Sequence, residues 1–168
     1  KWQKYGNITF TEKVKSGRIS TAMFYGTSAD TIDLSKSGIK EVAANAFNNT
    51  TAEEILLPEH LETIGENAFV FANIEKELVL PDTLKTIGYA AFTLAHYNQK
   101  WPDCKGEEGC GMPVKITSLP QSLEEISTYA FSRNTGLTAD VDLPNVRTIG
   151  TSAFSESGIH SIKLYESL

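Results

Sequence analysis

An Ala-Phe pair recurs along the chain at a nearly constant spacing. Successive phenylalanines of these pairs lie 22, 23, 39 and 23 residues apart. They are Phe47, Phe69, Phe92, Phe131 and Phe154. A period of roughly 20–50 residues indicates a repeat protein, in which each unit packs against its neighbours. The one long spacing indicates that about 16 residues have been inserted into one unit of a regular array.

Each unit has the same order of residue types. An isoleucine or valine lies five residues before the phenylalanine, and a small residue usually follows it, as in Ile87-Gly88. Further upstream, four units carry a Leu-Pro pair such as Leu80-Pro81. The residues that enter this pair alternate or are β-branched, which predicts a short strand ended by proline. The small residue can cap a helix and precedes a short polar-Ala-Phe run, so we expect a helix of one or two turns to follow it.

Stacked copies of this unit predict one solenoid domain over residues 1–168, with the phenylalanines in an internal column. Residues 29–168 hold about five repeats and a partial sixth, with an insertion at about 95–114. Residues 1–28 are expected to form a β-hairpin cap, because turn residues around Gly17 separate two strand-like segments. The alternative is a degenerate further repeat, since Phe24 lies 23 residues before Phe47.

These motifs resemble the BspA-like leucine-rich repeat family, whose units read approximately L-x-x-I-x-L-P-x-x-L-x-x-I-G-x-x-A-F. The match covers residues 29–168 apart from the insertion. The resemblance implies an α/β solenoid, that is, a right-handed leucine-rich repeat superhelix with a parallel concave β-sheet and short helices or 3-10 turns on the other side. It also implies a secreted or cell-surface bacterial protein that acts in adhesion to host proteins or to other cells.

Net charge and cysteine content limit which partners and which cellular compartments are expected. Fifteen basic and 21 acidic residues give a net charge of -6, and no Lys/Arg-rich block could follow a nucleic-acid backbone. No apolar run approaches the roughly 18 residues of a membrane span.

Cys104 and Cys110 lie in a Gly-rich stretch, which predicts a small disulfide loop in an oxidising, extracytoplasmic compartment. A zinc site that adds His96 has wide cysteine spacing and no evident fourth ligand, so we expect no metal. We also expect a monomeric chain.

Two sets of residues are candidates for contact with a partner. In a parallel strand every second side chain points away from the core. The outward positions of the predicted sheet include Asp33, Glu54, Leu56, Glu77, Val79, Thr117, Asp140, Asp142, Ser161 and Lys163. Acids outnumber bases there, which indicates a basic partner or sugar hydroxyls, or else simply a solvated face.

The insertion contributes the second set. Long loops without secondary structure are often functional, and tyrosine and tryptophan are favoured interface anchors. Trp101 is therefore the first candidate for a partner contact, with Tyr97 beside it in sequence. The alternative is that both rings pack the loop onto the solenoid.

Catalytic signals are missing from the sequence. The three histidines fall in different units, and no nucleophile turn or phosphate loop is recognisable. We therefore predict a non-catalytic, adhesin-like protein-binding module without a cofactor, whose partners are host or neighbouring-cell proteins, extracellular matrix or glycan. A structural spacer and a glycan-binding module are the alternatives.

Overall fold

The computed structural model describes residues 4–94 and 111–168. These residues form a parallel β-solenoid of about six coils, in which short strands are joined by turns. The strands are β1 Lys4–Thr9, β2 Arg18–Ile19, β3 Ser28–Asp33, β4 Glu41–Val42, β5 Thr51–Leu56, β6 Thr63–Ile64, β7 Asn73–Ile74, β8 Thr86–Ile87, β9 Glu125–Ile126, β10 Asp140–Asp142, β11 Thr148–Ile149 and β12 Ser161–Lys163. No helix in the described ranges is long and apolar enough to cross a membrane.

Every coil contributes to three walls. The first, which we call the long-strand sheet, contains β1, β3, β5 and β7, and then β10 and β12. Residues 115–117 connect its two parts, because Leu78 N–H donates to the Lys115 carbonyl and Ile116 pairs in parallel with Leu137. The second wall is a sheet of two-residue strands in the order β2-β4-β6-β8-β9-β11.

The third wall, here named the turn wall, consists of the turns that carry the phenylalanines. Its backbone hydrogen bonds run between coils, as from Phe24 N–H to the Ala46 carbonyl and from Phe47 N–H to the Ala68 carbonyl, both at 2.8 Å. All three walls therefore hold neighbouring coils together by the same kind of backbone ladder.

The predicted short helices are absent from the described residues. The residue two before each phenylalanine has a left-handed backbone instead, with φ between 49° and 58°. These residues are Ala22, Asn45, Asn67, Ala90, Tyr129 and Ser152. A left-handed residue cannot continue a right-handed helix, and it turns the following N–H groups towards the next coil. The α/β prediction was wrong for this wall because bonding between coils replaces bonding within a helix.

The predicted N-terminal hairpin is also wrong. A hairpin requires β1 to pair antiparallel with β2, whereas β1 pairs in parallel with β3 and β2 pairs in parallel with β4. Residues 4–26 thus form a coil of the solenoid, as the alternative interpretation proposed. The physical reason is burial, because Ile19 and Phe24 both become buried against the next coil.

The core is one cluster centred on a column of stacked phenylalanine rings. Phe24, Phe47, Phe69, Phe92, Phe131 and Phe154 follow one another with ring centroids 4.9–5.5 Å apart and nearly parallel planes. This spacing is close to the distance between neighbouring strands. The predicted internal column is therefore present, and it extends through the N-terminal coil.

The small residue before each turn lies where consecutive coils approach closely. A Cβ atom added to Gly150 would lie 2.2 Å from the Thr128 backbone nitrogen, and one added to Gly88 would lie 2.7 Å from the Gly65 carbonyl carbon. Small size at these positions serves backbone contact between coils rather than helix capping.

Candidate binding surface

The outward side chains of the long-strand sheet form the candidate surface, which we call the strand face. In β5, Ala52 and Ile55 are buried while Glu53, Glu54 and Leu56 point outward. Strict alternation predicted Glu54 and Leu56 but missed Glu53. The ladder between β3 and β5 skips the pair Asp30 and Glu53, so two successive side chains leave the core at this bend.

The predicted acids near the N-terminal end have specific partners. Asp33 Oδ1 accepts hydrogen bonds from the Ser35 hydroxyl at 2.6 Å and the Ser35 N–H at 2.9 Å, and these bonds lower the pKa of Asp33. Glu54 Oε2 lies 3.5 Å from Lys76 Nζ, which also lies 3.2 Å from Glu53 Oε1. The side-chain bond to Glu53 is the main reason that the pKa of Lys76 is raised.

Glu77 accepts a hydrogen bond from the Thr117 hydroxyl and forms no ion pair with the described residues. It therefore presents a negative charge that no basic side chain balances within residues 4–94 and 111–168.

The predicted acids of β10 meet side chains of β12. Asp140 Oδ1 accepts the Ser161 hydroxyl at 2.7 Å, and Asp142 Oδ2 lies 4.0 Å from Lys163 Nζ. Asp142 Oδ1 is buried without a hydrogen-bond partner in the described ranges. Lys163 Nζ lies over the Tyr165 ring, 4.8 Å from its centroid, and interaction with the Tyr165 side chain, followed by the charge of Asp142, raises the pKa of Lys163. The described residues contain no cluster of three or more potential metal ligands.

Leu56 and Val79 make the middle of the strand face apolar. They line a groove of about 380 Å³ whose other lining residues include Glu54, Glu59 and Glu77. Val79 is 68% exposed and Leu56 is 39% exposed. Together they form a small apolar patch among carboxylates that is open for contact with a partner.

The strand face also carries an excess of acid. Eight carboxylates point outward, those of Asp30, Asp33, Glu53, Glu54, Glu75, Glu77, Asp140 and Asp142. Four lysines accompany them, namely Lys4, Lys76, Lys115 and Lys163. Ion pairs occur on both sheets, for example between Lys4 and Asp30 at 2.5 Å on the strand face and between Arg18 and Glu41 at 3.0 Å on the short-strand sheet, but on the strand face the acids are twice as numerous as the lysines. The strand face is therefore a major source of the chain's negative charge.

The candidates in the insertion, Tyr97, Trp101, Cys104 and Cys110, lie outside the described residues, as does His96. The structure does place the two ends of that segment. Leu94 is buried at the end of one turn, and Met112 N–H donates to Asn73 Oδ1 at 2.8 Å where the chain rejoins the long-strand sheet. The segment thus interrupts the corner between the turn wall and the strand face.

The repeat pattern matches a known family. A family model described as "BspA type Leucine rich repeat region" matches residues 1–98 and 109–168 in six copies. The chain belongs to the BspA-type leucine-rich repeat family. The matched residues include the N-terminal coil, in agreement with its parallel pairing. A search among curated proteins finds no match.

Proposed function

We propose that this BspA-type repeat chain is a non-catalytic protein-binding module, of the adhesin type, in a secreted or cell-surface bacterial protein. The proposal rests on one observation: exposed Leu56 and Val79 line a groove together with several carboxylates. An aliphatic centre with a charged rim is the usual anatomy of a protein interface.

The charge of the strand face favours a basic partner. Glu77 has no basic counterpart among the described residues, and Glu53 and Glu54 share one lysine. A lysine or arginine of a partner at this rim would form ion pairs that steer association and select the orientation of the complex. Burial of Leu56 and Val79 would supply the affinity, because most of the binding energy comes from a few central side chains.

The insertion is proposed as a second contact of the same interface. Its ends lie at the corner beside the strand face, so Trp101 and Tyr97 belong to a segment that starts next to this surface. A disulfide between Cys104 and Cys110 would restrict the segment and lower the entropy lost on binding.

The test uses purified extracellular-matrix proteins from a host mucosal surface, immobilised for surface plasmon resonance. We expect binding that weakens with salt, and we expect Val79→Ser to weaken it at least about tenfold. Met23→Ser is the matched control, since Met23 is 50% exposed on the turn wall. Trp101→Ala measures the contribution of the insertion separately.

Two outcomes count against the proposal. Equal binding by wild type and Val79→Ser would exclude the strand face as the interface. Failure of every matrix protein to bind would favour a structural spacer, for which the repetitive core alone is sufficient.

A further inference from the structure

Two exposed tyrosines meet on the turn wall, away from the strand face. The rings of Tyr89 and Tyr129 are in edge-to-face contact, with centroids 6.0 Å apart and planes at 86°. Tyr89 is 46% exposed and Tyr129 is 40% exposed. A T-shaped pair that is open to solvent offers a ring face and two hydroxyl groups on one rigid platform.

Both tyrosines depart from the repeat. The position of Tyr89 holds Ala44, Glu66 or threonine in the other coils, and the position of Tyr129 holds alanine, asparagine or serine. Tyr129 is also the bulkiest of the residues held in a left-handed backbone before the phenylalanines, with φ of 58°. A large side chain in this conformation is strained, and strain of this kind persists where another requirement selects the residue.

The coils on the C-terminal side of the pair are rich in hydroxyl groups, while Glu66 of the preceding coil occupies the same repeat position as Tyr89. Segments 88–93, 127–132 and 150–155 form this part of the turn wall and contain no charged residue. Five of their hydroxyl side chains form no hydrogen bond with the described parts of the chain, namely Thr128, Ser132, Thr151, Ser152 and Ser155. Hydroxyls that are free both to donate and to accept match the hydroxyls of a sugar.

We propose that the Tyr89–Tyr129 platform binds a neutral oligosaccharide. The apolar face of a sugar ring would lie on a tyrosine ring, and its hydroxyls would bond to the threonines and serines of the adjoining coils. The three segments offer no cation to a sialylated or sulfated sugar, and Glu66 in the preceding coil would repel one. This site lies on a different wall from the proposed protein interface and does not depend on it.

The test is a ¹H–¹⁵N NMR titration with neutral tetrasaccharides of glucose, galactose, mannose and N-acetylglucosamine, each to about 10 mM. A sialylated and a sulfated oligosaccharide form separate arms. We expect one neutral sugar to give saturable shifts at Tyr89, Thr128 and Tyr129.

Two variants take residues from the repeat itself, so that the fold is retained. Tyr89→Thr and Tyr129→Asn should each weaken that binding at least about tenfold. The thermal midpoint of Tyr129→Asn should be equal to or higher than that of the wild type, because asparagine tolerates the left-handed backbone. Tyr25→Ala, which removes a tyrosine that is 59% exposed elsewhere, and Val79→Ser should bind the sugar as the wild type does.

Three results would overturn the proposal. They are no saturable shift with any neutral sugar, tighter binding of the acidic sugars, and wild-type binding by both tyrosine variants. A lower thermal midpoint for Tyr129→Asn would show that Tyr129 is not strained by its left-handed backbone. The sugar affinity of Tyr89→Thr would then decide whether the platform binds the sugar.

Discussion

Replacement of Phe92 by alanine tests the ring column at its middle. Phe92 is 2% exposed and stacks between Phe69 at 5.0 Å and Phe131 at 5.2 Å. Burial of one phenylalanine contributes about 1.5–3 kcal/mol, and an unfilled cavity adds to the loss. Both neighbouring rings are held by further rings on their far sides, so they cannot collapse into the hole. We therefore expect Phe92→Ala to lower the free energy of unfolding by about 3–5 kcal/mol.

Phe154→Ala is the matched control at the end of the column. Phe154 is only partly buried and stacks on one ring, that of Phe131, at 5.5 Å. Its loss should be about 1–2 kcal/mol, because less area is removed and solvent can fill the space. Urea melts followed by circular dichroism measure both values, provided that the slope m is unchanged. A loss below about 1 kcal/mol for Phe92→Ala, or equal losses for the two variants, would refute the column as a main source of stability.

Three further predictions concern the backbone and one carboxylate. Gly150→Ala should destabilise the fold by about 1–3 kcal/mol, because its Cβ would overlap the backbone of the preceding coil at Thr128. Gly6→Ala, with nothing within 4 Å, should cost little, and denaturant melts that give equal losses for the two variants would contradict this. Ala22→Asn should raise the free energy of unfolding by about 0.5–1 kcal/mol by relieving a left-handed alanine; calorimetry showing a lower melting temperature would exclude the strain. Ser35→Ala should raise the pKa of Asp33 in an NMR titration, because Ser35 stabilises the ionised carboxylate. Because the folded pKa is lowered, this contribution to stability is present above the unfolded pKa of about 4 and is lost as pH falls through the folded pKa. An unchanged pKa of Asp33 in Ser35→Ala would contradict the role given to Ser35.

The phenylalanine column could be predicted from spacing alone. Phenylalanine recurs at a nearly constant interval, and equivalent positions stack on one another in a repeat protein, so these two facts are enough to predict the column. The same interval from Phe24 to Phe47 also contained the signal for the N-terminal coil. The turn residues around Gly17 outweighed it in the prediction, although in the fold they only lengthen one corner of a coil.

The turns could not be predicted from local propensity. Asn45 and Asn67 are compatible with the left-handed position, but alanine, serine and tyrosine in the other coils do not indicate such a backbone, because its hydrogen-bond partners lie in the next coil. The alternation rule found Glu54 and Val79 on the strand face but missed Glu53, since one bend shifts the pattern by a residue. The Tyr89–Tyr129 pair was missed because two different repeat positions in two coils meet only after folding.

The proposed protein interface is tested most directly by methyl cross-saturation NMR. The repeat chain would be deuterated with protonated methyl groups and mixed with the matrix protein that binds it. We predict that irradiation of the partner reduces the methyl signals of Leu56 and Val79, the two most exposed aliphatic residues of the acidic groove. A reduction of methyl signal confined to other exposed residues, such as Leu164 or Met23, would contradict the assignment of binding to the strand face.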